Sequence, residues 1–166
     1  MVKCATPPSL KYICFDGDKI RVYKGEGSIQ LVSFYPFGMS AVENKIKYNE
    51  KGCLINNNGE LEGDIKLIYK IDDIASGLQL QLREHRDSEN IGLLTLSNVV
   101  AMSGDQYIEI DSYTNLINGL DASFNKTKNL YNKYITSGDF FKGPVGFSFL
   151  LTDKEFVSGY FTPLYY

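Results

Sequence analysis

Short runs of alternating apolar and polar residues, each closed by a turn signal, recur along this chain. That pattern constrains the fold more than any other feature, because a two-residue period places successive side chains on opposite faces of a strand. Residues 12–34 set the pattern: strand, tight turn, strand, short loop, strand. Asp16-Gly17 is a hairpin signal, since a two-residue type I′ turn needs positive φ at both central positions. Ile20 and Val22 alternate with Lys19, Arg21 and Tyr23, giving one face for a core and one for water.

Later segments repeat the theme. Residues 44–48 read as a short strand, with Asn49-Glu50-Lys51-Gly52 as a turn and Cys53-Leu54-Ile55 returning. Ile65, Leu67, Tyr69 and Ile71 share one face, and Leu78, Leu80 and Leu82 give the cleanest alternation, against Gln79, Gln81 and Arg83. Residues 84–90 form a polar loop, and residues 91–96 return as its partner strand. The period then changes. Tyr113, Leu116, Ile117, Leu120, Phe124, Tyr131, Tyr134 and Ile135 recur at three- and four-residue steps, which predicts a helical segment over 112–137 ending at Gly138. After Pro144 the chain reads as an aromatic strand pair: Val145, Phe147, Phe149 and Leu151 alternate, residues 155–161 return, and Pro163 ends the pair. The aromatic pair is expected to be buried.

The expected fold is therefore mainly β: an antiparallel β-sandwich or open barrel with one helical segment near residues 112–137. Hairpin-length connections favour antiparallel pairing, since parallel strands need crossovers of about a dozen residues. The 166 residues suit one β-rich domain, with residues 1–10 as a flexible N-terminal tether.

Composition narrows the function classes. The net charge of −3 comes with interspersed signs, which speaks against a nucleic-acid partner. No run approaches the roughly 18 apolar residues of a membrane span, so no transmembrane segment is expected. Cys4-Ala5-Thr6-Pro7-Pro8 has the look of a mature bacterial lipoprotein start, with Cys4 as the lipidated residue and a periplasmic location if a signal peptide was removed. Lys3 is a poor fit to that motif, and a frayed terminus with an incidental cysteine is the favoured alternative. Cys14 and Cys53 fall in expected strands and could be bridged, although two small buried hydrophobes is the preferred reading.

No motif for catalysis stands out, and the expectation is no enzyme, no cofactor and no metal. His85 is the single histidine. It lies in the polar loop with no serine in a nucleophile elbow to serve, so an exposed loop residue is the simpler account. Asp16 and Asp18 flank a glycine but lack the rest of a calcium loop. Asp72-Asp73 is explained by a helix N-terminus that prefers negative charge. The remaining expectation is a non-enzymatic protein-binding domain of inhibitor, immunity or adaptor type. Its contacts would come from Tyr35, Phe37 and Met39 in one aromatic loop and from Glu84, His85, Arg86 and Asp87 in the polar one. The alternatives are a structural subunit of a phage or secretion-type assembly, and a hydrolase using paired carboxylates.

Overall fold

The structure is a computed structural model. It describes the backbone of residues 2–4, 11–16, 19–24, 29–31 and 38–39, and residues 43–165 throughout. The chain is mainly β, and among the described residues no helix reaches seven residues. It divides into two compact units, Met1–Pro36 and Phe37–Tyr166.

The first unit holds β1 (Val2–Cys4), β2 (Lys11–Asp16), β3 (Lys19–Lys24) and β4 (Ile29–Leu31). β2 and β3 form the expected hairpin, with Asp16, read as part of the turn, paired in β2 opposite Lys19; positions 17 and 18 lie outside the described residues. β1, which carries Cys4 within the stretch read as a tether, pairs antiparallel with β4.

The second unit contains β5 (Gly38–Met39), β6 (Asn44–Ile46), β7 (Cys53–Asn57), β8 (Leu61–Lys70), β9 (Leu78–Arg83), β10 (Asn90–Leu96), β11 (Tyr107–Asp111), β12 (Leu116–Leu120), β13 (Lys126–Leu130), β14 (Ile135–Gly138), β15 (Gly146–Thr152) and β16 (Ser158–Tyr165). They make two antiparallel sheets. One has the order β14-β10-β9-β15-β7; the other runs β13-β12-β11-β8-β16-β5, with β6 also pairing with β16. The arrangement is that of a β-sandwich.

The alternation read from the sequence explains the core. Ile65, Leu67 and Tyr69 of β8 and Ile108 and Ile110 of β11 belong to the same buried cluster as Ile55 of β7, Leu78, Leu80 and Leu82 of β9, Leu94 and Leu96 of β10 and Leu150 of β15. Tyr69 also ties the sheets through a polar contact, its hydroxyl lying 3.0 Å from Oγ1 of Thr152. Burial pushes that phenol well above its ordinary pKa. The acidic pair Asp72 and Asp73 lies in the first turn of a short 3-10 helix, Ile71–Ile74. Cys53 is buried and carries a free thiol.

Three expectations are corrected. The helix over 112–137 does not form. Residues 112–115 are the turn joining β11 to β12, and β12, β13 and β14 follow. Asparagine and aspartate side chains take over the backbone groups that a helix would need. Asp121 Oδ1 accepts the N–H groups of Ser123 and Asn125 at 2.8 and 2.9 Å. Asn132 Oδ1 accepts the Ile117 N–H at 2.8 Å, and its amide donates to the Asn115 carbonyl at 3.0 Å. Asn115 and Phe124 both adopt positive φ, which no helix allows. The three- and four-residue spacing of apolar residues is the accidental product of short strands separated by such turns.

The second correction concerns the closing aromatic strands. They are not a hairpin: β15 belongs to the five-stranded sheet and β16 to the other. Nor is the aromatic face of β15 buried. Leu150 lies opposite Leu82 on one side and Cys53 on the other, both core residues, so Leu150 and Ser148 point inward. Phe147 is left 62% exposed. Third, Pro163 does not end β16. The strand continues to Tyr165 past a register shift between Thr162 and Leu164, where a proline can sit without a ladder bond.

Candidate functional site

The exposed aromatic face of β15 leads to the candidate site, which lies wholly within the second unit. Phe149 sits between Leu54 of β7 and Arg83 of β9 in the sheet register, and Phe147 sits beside Asn56. Leu54 is 53% exposed. Together with Phe147, the outer face at this edge presents large apolar side chains to water. Single exposed apolar residues need no explanation, but a cluster on one sheet face does.

A cation is held against the cluster. The Arg86 guanidinium carbon lies 5.6 Å from the centroid of the Phe149 ring, in cation–π range. Arg86 comes from the loop between β9 and β10, and that loop is shaped by local hydrogen bonds. Arg83 Nε donates to Asn90 Oδ1 at 2.8 Å, and its Nη1 donates to the Arg86 carbonyl at 3.1 Å. Ser88 Oγ donates to the His85 carbonyl at 2.9 Å and accepts the His85 N–H at 3.0 Å. Arg83 is thus spent on neutral acceptors that position the loop, leaving Arg86 with no acidic partner among the described residues.

Lys45, Lys47, Tyr48, Leu54, Arg86 and Phe149 line a groove of about 580 Å³ beside this cluster. Lys45 and Lys47 also lack a carboxylate within ion-pair distance among the described residues, whereas Lys66 pairs with Glu43 at 3.3 Å. Acids do stand near Tyr48. Desolvation first, then the carboxylates of Glu50 and Glu155, raise its phenol pKa.

The residues expected to bind a partner are thereby separated. Arg86 reaches the groove. Glu84 lines a different cleft of about 540 Å³ with Glu62, Lys142, Phe140 and Phe141, where Lys142 pairs with the buried Asp64 at 3.0 Å. His85 and Asp87 are exposed on the loop itself. Met39 is in β5, opposite Leu164 in the other sheet, rather than in a loop. Tyr35 and Phe37 lie outside the described residues. Leu54, Phe147, Phe149, Lys45 and Lys47 escaped the sequence reading. The available signal was that residues 53–55 and 149–151 are apolar on both faces, which a strand with one solvated face should not be.

His85 contributes its backbone rather than its ring to the loop. His85→Ala is accordingly expected to stay within about 0.5 kcal/mol of wild type in urea unfolding, with the groove and any partner binding intact.

Compared with known proteins, the chain matches no family model, no curated protein and no solved structure. Among the described residues no three His, Cys, Asp or Glu side chains gather as metal ligands. No helix there is long and apolar enough to cross a membrane, which leaves strands unaddressed.

Proposed function

We propose that this chain is a non-enzymatic protein-binding domain of inhibitor, immunity or adaptor type. The observation that carries the reading is the outward row of Leu54, Phe149 and Arg83 with Phe147 beside it and Arg86 laid over Phe149. Aromatic residues and arginine are the side chains that dominate protein interfaces, because they bury large area with few torsions to freeze. The recognition surface proposed is a sheet face with one loop residue at its rim, in place of loops alone. A lipid anchor at Cys4 and a periplasmic location belong to the same proposal, since they would hold such a domain where a partner arrives.

The test is affinity capture from the source organism's extract with wild-type protein and with a Phe147→Ser/Arg86→Ala double variant. Both substitutions fall on exposed side chains, so the melting temperature is expected to change little. A partner held by wild type is expected to be lost by the variant, with at least about 1 kcal/mol of weakening for each residue. A partner retained equally by the folded variant would move the interface elsewhere. Self-association as the only capture would favour the structural-subunit alternative.

A further inference from the structure

β7 ends its sheet. Among the described strands it pairs only with β15, and β6, which lies beside it, pairs only with β16. An edge strand directs every second N–H and C=O away from its partner, and such a row is a template for another strand. The gap between β6 and β7 is a groove of about 280 Å³, lined by Lys45, Ile46, Leu54, Ile55, Asn56 and Phe161. Ile46, Ile55 and Phe161 are buried core residues, so its floor is apolar. Lys45 and Leu54 also line the larger groove that Arg86 and Phe149 share. The two grooves adjoin at Lys45 and Leu54 and together form a trough along an edge that no described strand covers.

We infer that this trough takes an extended, acidic segment of a partner protein, added as a strand on the free edge of β7. The inference rests on the protein-binding reading above and names the chemistry of its partner. Alternate side chains of the added strand would fall on opposite faces. One set meets the apolar surface at Leu54 and Phe149. The other meets Lys45 and Lys47, two ammonium groups with no carboxylate within ion-pair distance among the described residues, and Arg86 stands at the end of the trough with its charge likewise unmatched. Charge complementarity sets the occupant. A second copy of this chain would bring the same lysines against themselves, so the cations that select an acidic strand also discourage edge-to-edge self-pairing. A nucleic acid would answer the charge but not the backbone donors and acceptors of β7 that no described strand pairs with.

The experiment is a titration of isotope-labelled full-length chain with a short synthetic peptide alternating glutamate and valine, followed through backbone amide signals. Shifts are expected in β6, β7 and β15. Affinity is expected to fall by about tenfold or more in Lys45→Glu/Lys47→Glu, whose melting temperature should match wild type. The same peptide N-methylated at alternate residues, in each of the two phases, is expected to lose binding in the phase that removes the donors facing β7. Equal binding of a lysine–valine peptide, preferential binding of single-stranded oligothymidylate, no shifts, or shifts away from these strands would each overturn the added-strand proposal. A captured partner that is lost by Phe147→Ser but kept by Lys45→Glu/Lys47→Glu would overturn it too, while leaving the protein-binding reading standing.

Discussion

Leu82→Ala is expected to destabilise the protein by about 2–5 kcal/mol, while Gln81→Ala stays within about 0.5 kcal/mol of wild type. Leu82 is 1% exposed and lies opposite Leu150, so truncation leaves a void inside the core cluster. Gln81 points the other way. Its amide contacts are to Gln79 Oε1 and Arg83, both on the same outer face, and water can replace them. Urea unfolding monitored by circular dichroism checks the pair. Equal losses at the two positions would mean that β9 does not alternate as described.

Tyr131→Phe is expected to cost about 1–3 kcal/mol, although it removes a single oxygen. Tyr131 is fully buried. Its hydroxyl donates to Asp105 Oδ2 at 2.7 Å and accepts the Met102 N–H at 2.8 Å. Asn129 Nδ2 donates to the same carboxylate oxygen at 2.9 Å. Phenylalanine would leave the Met102 N–H and the buried Asp105 carboxylate short of a partner, a larger penalty than a lost surface hydrogen bond. A pH signature accompanies this. Burial, reinforced by Asp105 and opposed by the Met102 N–H, pushes the Tyr131 phenol up to about 12 from 10.0. The unfolded chain ionises first, so this contribution is complete below pH 10.0 and is lost as pH rises through about 12. The phenylalanine variant is expected to show a flatter alkaline fall in stability. An equally steep fall would assign it to other groups, Tyr69 among them.

The strands that alternated cleanly were legible because one face of each is polar. Residues 78–83 and 65–71 could be read directly, and the faces read as apolar are buried, with Ile68 on the other face of β8 covered as well. Residues 112–137 could not be read that way. Their phase is reset by Asp121 and Asn132, whose side chains bond backbone groups chosen by the tertiary fold, and apolar spacing carries no record of that. The aromatic strand β15 failed for a different reason. Its more apolar alternation, Phe147, Phe149 and Leu151, turns outward while Ser148 and Leu150 turn in, and only the register with Leu82 and Cys53 decides that. The site was partly visible for the same reason. Arg86 was identifiable as an interface-type residue in a polar loop, whereas the platform beneath it depends on which face of β15 meets water.

The central claim is that the outer face of β7 and β15, with Arg86 at its rim, is where a partner protein binds. Hydrogen exchange of the complex with the captured partner tests it most directly, because it reads every backbone amide at once. Slowed exchange is predicted at Cys53–Asn57, in the loop at 84–90 and along Gly146–Thr152, with the turn at 121–125 unchanged. Protection centred on the 121–125 turn or on β13, with β7 and β15 exchanging as in the free protein, would contradict it.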